Sequence, residues 1–334
     1  MTNWIPLPIG PAERGFGSHA PVAKESVHRT SADEVLITGA RALGGDRFLV
    51  GARWRRNHRT FAPGDGGRHN PLLIAESIRQ ACIHLGVRFF DVPLGTHFVI
   101  RELHFDLDPP AAPEAKGEAT DVLLVVQADK VRRDATTGQV VAMALSATYL
   151  ADGRPFAGSG GSARLFDDTG YATLRAGTRT PQVPQTAQDA QGSDASQVSR
   201  EALAATGAPL LRPRPEQVGV IRAEDVALGR SNGGDWSVSA ADPRHPFFYD
   251  HAVDHLPGML MLEAARQFAV LQLNDAELRL TSVQLRPLLF AEALSPARFA
   301  APATASAEAF PFQLLQAGQS VLEGRLSLAR ATRP

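Results

Sequence analysis

Glu76 and Glu263 each stand three residues before an arginine and four before a glutamine, Arg79 and Gln80 in the first case, Arg266 and Gln267 in the second. On a helix that spacing gathers carboxylate, guanidinium and amide on one face. These are groups able to move a proton and to hold an anion. The plain alternative is an intrahelical salt bridge, worth about 0.3–0.5 kcal/mol on an exposed face. Both surrounding segments are largely apolar, however, and burying such ions costs several times that amount unless they are paired. Keeping the arrangement in both halves of the chain favours a polar cavity and a functional role for both glutamates.

The pattern extends upstream as H-x-x-F…E-x-x-R-Q, with His58 and Phe61 before Glu76, and His245 and Phe248 before Glu263. His to Glu is 18 residues in each copy (76 − 58 and 263 − 245), and the copies lie at one offset of 187. A period that long means two copies of one domain rather than a solenoid. The second copy reads HPFFYDHAVDHLPGMLMLEAARQ over residues 245–267, which adds His251 and His255. Three histidines invite a metal reading, but no pair stands at i, i+4 with a glutamate between, so no metal is expected. His251 lies twelve residues before Glu263, on the approach to a helix opening at Pro257-Gly258. That places an imidazole near a helix N-terminus, where free backbone N–H groups can hold a carbonyl or oxyanion.

The elements needed to position these residues also come twice. Residue types and turn signals predict strands over Glu34–Thr38 and Arg47–Trp54, a helix over Leu72–Val87, and strands over Thr96–Phe105, Val122–Arg132, Val140–Leu150 and Ser162–Phe166. Beyond residue 212 the order repeats: strands Asp225–Leu228 and Trp236–Ala240, a helix Gly258–Leu273, and strands Leu278–Arg286, Arg298–Ala301, Phe310–Gln316 and Val321–Ala329. Fainter echoes align Asp33-Glu34-Val35 with Glu224-Asp225-Val226. Apolar residues cover well over half of the second helix, so it should be buried on several sides. One long helix with several antiparallel strands, done twice, is an α+β class in which a sheet wraps its helix. The expected domains are 20–166 and 213–330, joined by a flexible linker over 167–212 whose Thr, Gln, Ser, Asp, Gly and Pro cannot bury enough surface to order themselves. Gly158-Ser159-Gly160-Gly161 reads as a flexible bend.

Composition narrows the function. With 334 residues, 44% hydrophobic and 21% charged, the chain suits a soluble globular protein with two full cores. No run of about 18 or more apolar residues and no signal-like start is present, so neither membrane span nor export is expected. A net charge of −1 gives no push toward nucleic acid. The single cysteine, Cys82, excludes an internal disulfide, reads as a buried inert thiol, and fits a reducing cytoplasm. One basic cluster, Arg53, Arg55, Arg56, His58 and Arg59 around Trp54, is either a solvated strand face or a holder for a phosphate or an acidic carrier protein. No G-x-G-x-x-G follows a strand, so no nicotinamide site is expected, and no cofactor is called for.

The string Pro246-Phe247-Phe248-x-x-His251 followed by Pro257-Gly258-Met259-Leu260-x-x-Glu263 resembles the active-site segment of hotdog β-hydroxyacyl-ACP dehydratases, PFFxGH…PGxLxxE. This copy is two residues shorter between His and Glu, and Asp250 replaces the Gly. Together with the doubled E-x-x-R-Q, VHRTSADEVLIT at Val27–Thr38 and HNPLLIAESIRQ at His69–Gln80, the chain resembles the A-factor synthase (AfsA) family of γ-butyrolactone biosynthesis over nearly its whole length outside the linker. The resemblance implies a double hotdog. It also implies transfer of a β-ketoacyl group from acyl carrier protein to the hydroxyl of dihydroxyacetone phosphate, toward a butenolide-type signalling molecule. Glu76, Glu263 and Arg266 match the family's proposed active-site residues, and Arg79 is the mate of Arg266. His69 and His251 join them as further catalytic candidates, with Gln80, Gln267, Gly258 and Arg56 as substrate-binding candidates. In hotdog dimers the acid of one subunit commonly faces the histidine of the other, which implies Glu263 opposite His69 and Glu76 opposite His251. The first copy has His69-Asn70-Pro71 in place of Pro-Gly-Met, so one site is expected to be impaired. Met259, Met261 and Phe268 are candidates for an acyl tunnel or plain core. The competing readings are a dehydratase or thioesterase acting on acyl thioesters, and a non-catalytic acyl-binding regulatory module.

Overall fold

The computed structural model describes residues 7, 20–62, 67–178, 210–232, 234–251, 254–293 and 295–330. The chain divides into two compact units, residues 1–171 with 279–284 and 331–334, and residues 172–278 with 285–330.

In the first unit, strands β1 (Ile37–Gly44), β2 (Arg47–Arg55), β3 (His97–Leu107), β4 (Ala119–Arg133), β5 (Val140–Ala151) and β6 (Arg154–Phe166) form an antiparallel sheet in the order β1-β2-β4-β5-β6-β3. Helix α1 (Leu72–Phe89) is buried along most of its length. Two polar ties fix it to the sheet: Tyr149 donates to the carbonyl of Ile74 at 2.9 Å, and the indole N–H of Trp54 donates to Ser77 Oγ at 3.0 Å. Both aromatic side chains are fully buried, so each tie adds direction to a large apolar burial.

The first strand differs from its expected span. Ala32–Glu34 form a 3₁₀ turn, started by Ser31, whose hydroxyl accepts from the N–H of Asp33, and the strand begins only at Ile37. It then continues through Gly39–Gly44, where small residues hide the strand signal from a reading based on side-chain type. The supposed bend at Gly158–Gly161 is ordered strand, paired with β5 on one side and β3 on the other. Its glycines are there for close approach. A Cβ on Gly161 would meet the carbonyl of Glu102 at 2.7 Å, and one on Gly160 would meet the His104 ring at 2.8 Å.

In the second unit, β7 (Leu228–Gly229), β8 (Ser237–Val238), β10 (Arg298–Ala300), β11 (Phe310–Gln316) and β12 (Gln319–Arg330) pair antiparallel in the order β7-β8-β10-β11-β12; β9 spans Leu278–Pro287, and its residues 279–284 belong to the first unit. The two expected strands Asp225–Leu228 and Trp236–Ala240 shrink to two residues each. Gly, Ser and Ala there offer little side chain to pair across a sheet. The second long helix, Gly258–Leu273, has the expected bounds and buried residues at every position from Met259 to Val270. Phe268 stacks on Phe299 at 4.9 Å and meets Phe310 edge-on, which makes it a core residue beside buried Met259 and Met261. Each unit thus sets one long helix against an antiparallel sheet, the arrangement of a double hotdog.

The segment expected as linker holds a third helix. Asp168–Thr178 is helical and carries a buried arginine, Arg175, so it is designated α2 and Gly258–Leu273 becomes α3. Half-buried Tyr171 and Leu174 and buried Arg175 give this end more burial than its polar composition suggests; the remainder, 179–209, lies outside the described residues. No described helix is long and apolar enough to cross a membrane.

Candidate active site

The repeated motif folds into the same hydrogen-bonded clamp in each unit. On α1, Glu76 is fully buried and accepts from Arg79 Nε at 2.9 Å and Nη2 at 2.8 Å, from Gln80 Nε2 at 2.7 Å, and from Arg29 Nη2 at 2.8 Å. Gln80 also bonds the backbone ahead of β1, donating to the carbonyl of Glu34 and accepting from the N–H of Leu36, both at 2.8 Å. Arg79 reaches the carbonyl of Val27, at the end of a 3₁₀ turn, at 3.4 Å. On α3, Glu263 accepts from Arg266 at 2.8 and 2.6 Å and from Gln267 at 2.7 Å. Gln267 bonds the carbonyl of Asp225 and the N–H of Ala227, and Arg266 the carbonyl of Val218, again at the end of a 3₁₀ turn.

The histidines of the motif complete the clamps. His58 Nδ1 accepts from the N–H groups of Thr60 and Phe61 while Nε2 lies 3.1 Å from Glu34; His245 Nδ1 accepts from those of Phe247 and Phe248 while Nε2 lies 2.9 Å from Asp225. The Phe rings lie against them, at 4.9 Å for Phe61 and 4.2 Å for Phe248. Glu, Arg and Gln of the motif therefore tie a turn and the backbone ahead of the first strand to the long helix, while His and Phe brace the loop against Glu34 or Asp225. Two offsets run through the clamp, 187 for the His and helix residues, and 191 for the backbone they hold (218 − 27 and 225 − 34).

The clamps differ in charge. Glu76 faces two guanidinium groups, whereas the position equivalent to Arg29 in the second copy is Val220 at the 191 offset. Burial alone would raise the Glu76 carboxyl, but the charges and hydrogen bonds of Arg29 and Arg79 more than reverse it and hold it at about 2. Arg29 escaped the motif reading; its only signal was the VHR run beside the faint Asp33–Val35 echo.

The helix starts also differ. The first turn of α1 is closed by Asn70, whose side-chain oxygen accepts from Leu72 N–H at 3.0 Å and whose carbonyl accepts from Leu73 N–H at 3.0 Å. The start of α3 has no side-chain cap, and its first residue, Gly258, is exposed. An uncapped, accessible helix start presents N–H groups and the positive end of the helix dipole.

Of the remaining candidates, His251 is exposed, with 47% of its side chain accessible, and its Nδ1 is 3.7 Å from the buried Asp250 carboxylate. His69 is buried against the edge of Trp54, and burial pushes it down to about 4, so it is neutral at physiological pH. Its Nε2 is 2.7 Å from Thr120 Oγ1. In the basic cluster, Arg53 is paired with Asp121 and Arg55 with Asp33, while Arg56 is exposed. Burial pushes the Cys82 thiol up to about 12, which fits an inert thiol. Among the described residues, no group of three or more His, Cys, Asp or Glu is placed to hold a metal ion.

Comparison with known proteins follows the same outline. The model of the A-factor biosynthesis hotdog domain, AfsA, matches residues 12–167 and 212–296. The chain is 33% identical over 251 residues to a 2-oxo-3-(phosphooxy)propyl 3-oxoalkanoate synthase of Streptomyces virginiae, covering 74% of this chain and 76% of the relative. It is 34% identical over 260 residues to the synthase of that name from Streptomyces griseus, covering 77% of each. Among solved structures, an acyl-ACP thioesterase from Bacteroides thetaiotaomicron superposes with a TM-score of 0.50 at 12% identity, over 86% of this chain and all of the other. That likeness concerns the fold alone. The doubled clamp, the two helix-on-sheet units and the extent of these matches lead to one conclusion: the chain belongs to the A-factor biosynthesis hotdog family.

Proposed function

We propose that this protein transfers a β-ketoacyl group from an acyl carrier protein thioester to the hydroxyl of dihydroxyacetone phosphate, as the name of its Streptomyces relatives describes for their product. The observation that carries this reading is the likeness to those relatives over three quarters of both chains. The second unit is the working copy. His251 takes the proton of the acceptor hydroxyl as its oxygen attacks the thioester carbonyl. The resulting oxyanion is held by N–H groups at the open start of α3, and collapse expels the carrier thiol, which regains the proton from the imidazolium. No enzyme nucleophile is needed, since donor and acceptor react directly once held together.

In this reading Glu76, Glu263, Arg79, Arg266, Gln80 and Gln267 are positioning residues. Both carboxylates accept from arginine and glutamine side chains, both amides also bond backbone, and a carboxyl held at about 2, as Glu76 is, makes a weak base near neutrality. Exposed Arg56 is a guanidinium available to the acceptor's phosphate or to an acidic carrier protein.

Mass spectrometry after incubation with β-ketoacyl carrier protein, with and without dihydroxyacetone phosphate, tests the reaction. Ester that forms only with the acceptor supports it; free β-keto acid formed equally in both would give the chain to thioester hydrolysis instead. A sharper variant is Gly258→Pro. Proline suits the first position of a helix, and Pro257 already has the extended backbone, ψ 139°, that a following proline requires. The substitution removes one N–H with little cost to the fold. Transfer is expected to fall by about 10²-fold, the scale of losing one oxyanion donor, with an unchanged melting temperature.

A further inference from the structure

Arg175 on α2 donates four hydrogen bonds to Asp254 and Glu292, and no part of the mechanism above uses it. Its side chain is 5% accessible. The guanidinium forks onto Glu292, Nη1 to Oε1 and Nη2 to Oε2, both at 2.8 Å. Its Nε donates to the Asp254 carboxylate at 2.7 Å and its Nη2 to the Asp254 carbonyl at 3.1 Å, so one side chain holds both the main chain and the side chain of Asp254. The group also lies over the Phe290 ring at 4.6 Å.

What it grips leads directly into α3. The backbone of His255 pairs antiparallel with that of Glu292 in an isolated β-bridge, Leu256 N–H donates to the carbonyl of Ala291 at 2.8 Å, and His255 Nδ1 sits 2.8 Å from Asp254. Glu292 is itself fixed, its N–H donating to Gln316 Oε1 at 2.7 Å. Buried Glu292 and the more exposed Asp254 are thus two carboxylates brought to one buried cation, and removing the cation leaves them repelling each other. Asp254 is three residues after His251 and four before Gly258.

We propose that Arg175 is a positioning residue for acyl transfer: by locking Asp254 to Glu292 it sets the approach to α3, and with it both His251 and the open helix start. The segment between the two hotdog halves is then, at its N-terminal end, part of the active-site scaffold. This inference rests on the assignment of chemistry to the second unit.

The test compares the full-length chain with Arg175→Met and with Arg175→Met/Glu292→Met. The single variant is expected to lose about tenfold or more in kcat with little change in KM, since small misplacements of reacting groups have effects of that size. Hydrogen exchange over residues 254–261 should speed up. The double variant replaces a buried ion pair by apolar side chains and should recover the melting temperature. Its kcat should stay low, because Asp254 still lacks the guanidinium that gripped its carboxylate and carbonyl. A single variant with the kcat of the unmodified chain, or a double variant that regains kcat along with stability, would overturn the proposal. If the unmodified chain makes no ester at all, the acyl-transfer reading fails instead, and unchanged exchange over 254–261 in Arg175→Met would then overturn the anchoring by itself.

Discussion

Glu76→Gln is expected to destabilise the protein by about 3–5 kcal/mol, the scale for removing one partner of a buried ion pair. The side chain is inaccessible to solvent, and it is the common acceptor for Arg29, Arg79 and Gln80. Glutamine keeps the volume but not the charge, so two guanidinium groups are left facing a neutral amide. Chemical denaturation monitored by tryptophan fluorescence reads the loss well, because Trp54 is tied to the same helix. The pH dependence should carry a matching signature. The carboxyl sits at about 2 in the folded chain against 4.5 when unperturbed, a difference worth roughly 3 kcal/mol. A depressed folded value means that this stability is complete above about 4.5 and lost as pH falls toward 2. Glu76→Gln should lack that acid-sensitive component. A variant as stable as the unmodified protein, with an unaltered acid profile, would show that the clamp contributes nothing.

The second large effect concerns chemistry alone. His251→Asn should reduce ester formation by about 10²- to 10⁴-fold, the usual contribution of a general base. Stability should be unaffected, since nearly half the side chain is exposed and the Asp250 carboxylate is 3.7 Å away. Single-turnover kinetics with a β-ketoacyl carrier thioester would measure it. A variant that transfers at the unmodified rate would remove His251 from the reaction, and His69 in the first unit would then be the imidazole to test.

Much of this architecture could be read from residue types and spacing, and the failures are instructive. Both long helices were legible because their apolar residues recur at helical spacing, and the duplication because five residues repeat at one offset. The hidden parts were those where backbone does the work. β1 is built from Gly39–Gly44, and the paired strand at Gly158–Gly161 needs glycine for close approach rather than for flexibility. Helix α2 was missed because most of its face is polar and its burial rests on few side chains. At the site, the motif brought Glu, Arg and Gln together on each helix, yet pattern alone could not show that each carboxylate's oxygens accept from Arg and Gln side chains. Arg29 and Arg175 have no counterpart in the repeat, so periodicity could not find them.

The most direct test of the division between clamp and chemistry is the rate of ester formation by Glu263→Met/Arg266→Met. This change removes both charges of the second clamp together and leaves Gln267 bonded to Asp225 and Ala227, so the fold is expected to survive. If Glu263 positions and His251 reacts, the folded variant will transfer within about tenfold of the unmodified rate, a shift of about 1.4 kcal/mol in barrier. A folded variant as inactive as His251→Asn would contradict the account and return the carboxylate to the chemistry.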